Sequence, residues 1–225
     1  MSLVFPFRAL RPAKAYAFQV AAPPYDVMSA EEAKAFVQGN PLSFLHVEKS
    51  EIDLPDAEGV EDQRIYDRGK ANLRALMDRR ILRRDETPRY YLYRQRMDRR
   101  IQSGIVACVS IAEYEAGTIK RHEWTRADKE RERTRHIDTV GAQTGPVFMT
   151  YRGREEIERL MERIAGGEPE YDFTAGDGVR HTVSIIDRPA DIQGIGEGFA
   201  LVPPLYIADG HHRAAAAAAV ARLRG

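Results

Sequence analysis

The chain is predicted to be an α+β protein, a mixed sheet with antiparallel hairpins and flanking helices. Two paired β-rich runs, each joined by a short polar turn, call for antiparallel strands. Helical stretches with their own start and stop signals fall between them without a regular β-α alternation, so a uniform parallel sheet is not expected. There is no internal repeat and no low-complexity linker. The expectation is a single α+β domain over residues 1–225, with 84–183 as an inserted hairpin and helix region.

In order, "FQVAAPPYDVMSAEEAKAFVQGNP" reads as strand, proline turn, helix and stop. Ser29 and Glu32 have the spacing of a capping box, and Gly39-Asn40-Pro41 ends the helix. "LSFLHV" is a strand candidate and "EIDLPDAEGV" an acidic loop. Ile65, Leu73, Leu76 and Ile81 recur near the helical period, which predicts an amphipathic helix. "RYYLYRQRM" and "IQSGIVACVSI" form a hairpin about Asp98-Arg99, and Cys108 is expected to be a buried strand residue. "TRADKERERTRHI" is a charged helix whose Thr125 and Asp128 suggest a second capping box. "GAQTGPVFMTY" is a loop entering a strand, and "GREEIERLMERIAGG" a helix with a glycine stop. "YDFTAGDGVRHTVSIID" is a second hairpin, turning at Gly176-Asp177-Gly178. "LVPPLYIAD" is a strand, and the alanine block after it a helix.

Composition narrows the function classes. The 225 residues carry 34 basic and 34 acidic side chains, so the chain lacks the basic excess of a duplex-binding protein. One cysteine cannot form an internal disulfide, nor supply a Cys-based zinc site. No apolar run approaches the roughly 18 residues of a membrane span, and the N-terminus lacks a signal peptide's apolar core. A cytoplasmic protein without nucleic-acid or membrane partners is expected. Because the chain stops soon after the alanine block, a longer natural chain is also expected.

The densest chemistry is "YIADGHHRAAAAAAV". Asp209 is expected to cap a helix, with Gly210 allowing a tight entry. The next N–H groups, on His211, His212 and Arg213, then lack intrahelical partners and favour an anion. Arg213 adds a forked cation, and either histidine can donate a hydrogen bond. Adjacent helical histidines diverge by about 100°, so His211 and His212 make a poor shared metal pair, and no dedicated transition metal is expected. Asp209 could instead help hold a magnesium ion brought by a nucleotide.

A second candidate brackets the charged helix: Lys120, Arg121, His122, Glu123, Arg126, Arg135 and His136, followed by Thr144 and Gly145. It reads either as a salt-bridged solvent face or as a lid over an anionic ligand. Asp26, after Pro23-Pro24, is a general base or a turn cap. His46 and His181, in strand contexts, read as packed or edge histidines, and Trp124 as core or interface.

Many stretches together resemble the bacterial and archaeal domain-of-unknown-function family 1015. They include "PFRALRP", "AAPPYDV", "NPLSFLHV", "KRHEWTRADKERERTRHIDT", "AQTGPVF" and "PPLYIADGHHRAAAA", and run from residue 5 to about 219. The strand followed by D-G-H-x-R-x-x-A is also similar to the phosphate motif of the ParB/sulfiredoxin-like fold, which includes free-serine kinases. Gly210, His212 and Arg213 match that motif, and Asp209 matches its kinase version. His211 stands where sulfiredoxins carry cysteine, which excludes their chemistry. This second resemblance implies a nucleotide-binding core and a phosphotransferase using ATP or ADP with magnesium. The acceptor would be a small hydroxyl substrate such as serine. Catalytic roles would fall to Asp209 with Asp26 or Glu123. The alternative is a nucleotide-sensing regulatory module without small-molecule turnover, and a homo-oligomer stays open.

Overall fold

The computed structural model describes residues 3–57, 59, 61–202 and 204–225. In chain order it forms β1 (Val4–Phe5), β2 (Leu10–Pro12), α1 (Ala17–Val20), α2 (Ala30–Phe36), α3 (Leu45–Glu48), α4 (Gln63–Asp78), β3 (Leu82–Arg84), β4 (Tyr90–Met97), β5 (Arg100–Val106) and β6 (Cys108–Val109). There follow α5 (Ile111–Glu115), β7 (Ile119–Lys120), α6 (Ala127–Val140), β8 (Phe148–Thr150), α7 (Glu155–Ala165), β9 (Tyr171–Thr174), β10 (Arg180–Ile186), α8 (Pro189–Ala200), β11 (Leu205–Asp209) and α9 (His211–Arg224). This is an α+β fold. Among the described residues, no helix is long and apolar enough to cross a membrane. The chain divides into two compact units. Met1–Lys14, Arg84–Lys120 and Thr150–Tyr206 make one; Ala15–Arg83, Arg121–Met149 and Ile207–Gly225 make the other.

The first unit is built on a four-stranded sheet in the order β5-β4-β10-β9. All its pairings are antiparallel, with Tyr93 opposite Val183 and Met97 opposite Arg100. Both predicted hairpins form. Asp98 takes a left-handed φ of 52° in its turn, a conformation aspartate tolerates because its short side chain bonds locally. α7 and α8 pack together and bury Ile157, Ile195 and Phe199. Gly198 permits that approach: a Cβ there would lie 2.8 Å from Ile157 Cγ1. Arg11 binds Asp85 at 2.9 Å and Glu170 at 2.7 Å, and Tyr91 donates its hydroxyl to Asp85. β7 runs parallel to the start of β11, with Ile119 opposite Leu205.

The second unit is helical. α4 packs on α6, and α6 packs on α9. The alanines give α9 a thin profile, so Ala216, Val220 and Ile137 form one core cluster. A second cluster joins Ala33, Val37 and Leu45. Full burial of Leu45 and Val47 stabilises the unit by about 1.5–3 kcal/mol each. Gly69 sits where α4 crosses α3 and the turn after it; a Cβ there would lie 2.9 Å from the Val47 carbonyl and 2.8 Å from Ser50 Oγ.

Ser29 and Glu32 make the full capping box at the start of α2. Several other local expectations are corrected. "LSFLHV" is the turn entering α3, not a strand; Leu45 and Val47 alternate, but one helical turn surrounded by other elements buries both. "FQV" belongs to α1, because Ala17 and Val20 at i, i+3 are the buried pair while Phe18 is exposed. Thr125 and Asp128 form no capping box. The N-cap of α6 is Arg126, Thr125 donates to Glu130, and the Arg126 N–H is taken by His212 Nε2 at 3.0 Å. Cys108 is exposed on a two-residue strand that pairs with β1. Trp124 is 91% exposed and so is no core residue.

Candidate functional site

The site grows from the turn between β11 and α9 in the second unit. Gly210, not Asp209, is the N-cap. It adopts φ 92° and ψ 33°, a left-handed conformation that costs glycine little, and no side chain caps the helix. The first intrahelical bond runs from the Ala214 N–H to the Gly210 carbonyl at 2.9 Å. Helix geometry therefore leaves the N–H groups of His211, His212 and Arg213 without intrahelical acceptors. Aligned peptide dipoles add positive potential at the same place.

The three side chains that open α9 diverge. Arg213, 8% exposed, folds back over the turn. Its Nη2 contacts Asp209 at 2.5 Å and Asp26 at 3.5 Å, and Nη1 donates to the Pro146 carbonyl. Gly145 allows the preceding loop this close, since a Cβ there would lie 3.0 Å from Arg213 Cδ. The turn thus gathers Asp26, Gly145-Pro146, Asp209 and Arg213, and two carboxylates already neutralise the guanidinium.

His211 points elsewhere and is 2% exposed. Its Nδ1 lies 2.9 Å from Glu123, and its ring meets that of His122 edge to face at 4.4 Å between centroids. His122 Nδ1 lies 2.9 Å from the Ile207 carbonyl. Burial holds the His211 pKa below the usual histidine range, and Glu123 opposes that shift. His212 accepts from the Arg126 N–H and lines a cavity of about 900 Å³.

That cavity lies within the second unit. Lys34, Lys49, Arg126, Lys129 and Arg133 face it, as do Asp26, Glu31, Glu48, Glu51 and Glu132, so its charge is balanced. At its inner wall Arg133 pairs with Glu48 at 3.0 Å, their side chains 6% and 8% exposed, and stacks over the Tyr25 ring at 4.0 Å. Burial alone would lower the Arg133 pKa, but Glu48, Tyr25 and Glu132 outweigh it and raise it. His136 Nε2 lies 3.1 Å from the Val47 carbonyl, and burial, with Arg133 beside it, depresses its pKa. Burial pushes the Tyr66 hydroxyl up to about 12. Among the described residues, Glu48 Oε1, Arg133 Nε and His136 Nδ1 are buried without a hydrogen-bond partner. A polar ligand would satisfy such atoms, which are costly when left bare.

The other predicted residues are dispersed. Arg126 pairs with Asp128 at 2.7 Å and stays exposed. Arg135 lies over the Tyr66 ring and binds Gln63 and the Glu61 carbonyl. Lys120 belongs to β7 in the first unit, and Arg121 is exposed. Glu48 carries no site signal in the sequence, and Arg133 falls within the charged helix that reads there as a solvent face or a lid, not as a buried wall.

The fold and site define an α+β protein whose polar groups converge on one strand-to-helix turn. The chain belongs to the family described as "Protein of unknown function (DUF1015)", whose profile matches residues 4–225. No curated protein and no solved structure matches it.

Proposed function

We propose that the second unit binds a nucleotide phosphate at the start of α9 and acts as a phosphotransferase on a small hydroxyl substrate, with a ParB/sulfiredoxin-like core around β11 and α9. The observation that carries this reading is the uncapped helix start at Gly210, flanked by His212 at the mouth of a polar cavity. Phosphoryl transfer asks mainly for positioning and charge neutralisation. The N–H groups of residues 211–213 receive phosphate oxygens. Arg213 exchanges a carboxylate partner for phosphate, an exchange its three-way contact with Asp209, Asp26 and Pro146 permits. Asp26, released from Arg213, is placed to accept the acceptor hydroxyl's proton. Glu123 is less suited to that role because it faces His211. Exposed Asp209 fits a magnesium ion that keeps most of its ligands from water and phosphate. The balanced cavity suits a zwitterionic acceptor such as free serine, its ammonium toward carboxylates and its carboxylate toward cations.

The test is a calorimetric titration of the purified chain with ATP, ADP and CTP in the presence of magnesium, followed by a turnover assay with serine. One nucleotide is expected to bind, and His212→Ala and Arg213→Ala are expected to weaken it at least tenfold while each variant stays folded by circular dichroism. Binding without phosphoserine would move the reading to a nucleotide-sensing module. No binding by any of the three would refute it.

A further inference from the structure

The diverging histidines leave one cluster that phosphate binding does not use. His122, Glu123 and His211 each offer a ligand atom, and the three atoms lie within 4.8 Å of one another. Two nitrogens and a carboxylate oxygen are a donor set for zinc and similar borderline divalent ions.

Outer contacts favour a cation. The Ile207 carbonyl can only accept, so His122 Nδ1 carries the proton in that bond and Nε2 keeps its lone pair. A backbone carbonyl that fixes the tautomer in this way is a common support for a metal-bound histidine. His211 is anchored on the first residue of α9 and is almost fully buried, so its ring is rigid. The Glu123 carboxylate can only accept, so His211 Nδ1 carries the proton in that contact, and Nε2 is buried with no partner among the described residues. Glu123 already faces Nδ1 at 2.9 Å, so an ion would take the place between them as the ring proton moves to Nε2. His122 and Glu123 are exposed and leave an entry path.

Ligand atoms of a tetrahedral zinc stand about 3.4 Å apart for metal–ligand bonds near 2.0–2.1 Å. The Glu123–His211 contact at 2.9 Å must therefore open by about 0.5 Å, and a pair at the 4.8 Å limit must close by about 1.4 Å, movements open to the exposed 122–123 segment.

We propose that His122, Glu123 and His211 form a site for one borderline divalent transition metal. Three protein ligands leave a further position for water. The ion would tie the segment before α6 to the first residue of α9 and so brace the Gly210 turn. The site does not depend on nucleotide binding.

The test uses the full chain stripped with a chelator, without nucleotide, and carrying Cys108→Ser so that the exposed thiol cannot bind the ion. Zinc chloride is titrated by calorimetry. One ion per chain is expected. His122→Ala and Glu123→Gln lie on exposed positions and should each weaken it at least tenfold with unchanged circular dichroism. Cobalt(II) should give a visible d–d band that both variants lose. Zinc binding that the combined His122→Ala and Glu123→Gln variant changes less than twofold would overturn the site. So would a cobalt spectrum like that of the free aqueous ion, or loss of binding on Cys108→Ser alone.

Discussion

Replacing Arg133 by methionine tests whether the buried pair at the cavity wall is a structural bond or a ligand-binding device. Methionine retains most of the aliphatic volume and removes the charge. In the native chain the guanidinium and Glu48 approach to 3.0 Å with under a tenth of either side chain exposed, so solvent screens them little. Removing one partner strands a carboxylate in the interior, which costs about 3–5 kcal/mol. Loss of the stacking on Tyr25 adds about 0.5–2 kcal/mol. Arg133→Met should therefore destabilise folding by at least about 3 kcal/mol, read from urea denaturation at pH 7.5. Replacing both residues, Arg133→Met with Glu48→Leu, removes the stranded charge. Exchanges of this kind range from neutral to stabilising by about 1–4 kcal/mol, so the double variant should recover most of the loss. If the cavity holds the acceptor, the recovered double variant should still bind serine at least tenfold more weakly. A single variant within 1 kcal/mol of the native chain, or a double variant no more stable than the single, would refute the reasoning about the pair.

Two further predictions concern the same unit. Gly69→Ala should lower stability by about 1–2 kcal/mol in urea denaturation, even though alanine is favoured in a helix by about 0.8–1.0 kcal/mol. The new Cβ would meet the Val47 carbonyl and Ser50 Oγ inside 3.0 Å, and Ser50 is held by hydrogen bonds to the His46 and Val47 carbonyls; a stabilised variant would show that α4 can move away freely. The second concerns acid. Burial and Arg133, opposed by Glu48 and Glu132, keep the folded His136 below its ordinary pKa. The unfolded chain then binds the extra proton first, so stability falls as pH drops below about 6.5, by at most about 1.4 kcal/mol per pH unit for this group. His136→Asn should make the stability profile between pH 7.5 and 5.5 shallower, while His181 and His211, also depressed, keep part of the slope; an unchanged slope would contradict the assignment.

Much of the fold was legible because its signals are local. The Ser29–Glu32 box, the turns at Asp98-Arg99 and Gly176-Asp177-Gly178, and the amphipathic spacing of α4 each act within a few residues. There the backbone conformation and the nearest side chains settle the outcome. "LSFLHV" and "FQV" misled for the opposite reason. In one-turn segments of mixed burial, periodicity carries little information and neighbouring elements decide. The Thr125–Asp128 box yielded to a distant residue, because His212 claims the Arg126 N–H at the start of α6.

The sequence by itself determined that a strand would end at Asp209, turn at Gly210 and open a helix with free N–H groups, since only glycine takes that left-handed turn cheaply. It also determined that His211 and His212 would part, because successive helical side chains diverge by about 100°. What each side chain meets was decided by the tertiary structure alone. His211 finds Glu123 and His122, His212 finds the Arg126 N–H and the cavity, and Arg133 finds Glu48 across 85 residues of chain. Such meetings depend on how α3, α6 and α9 pack, and that packing follows from shapes and volumes that no local pattern encodes.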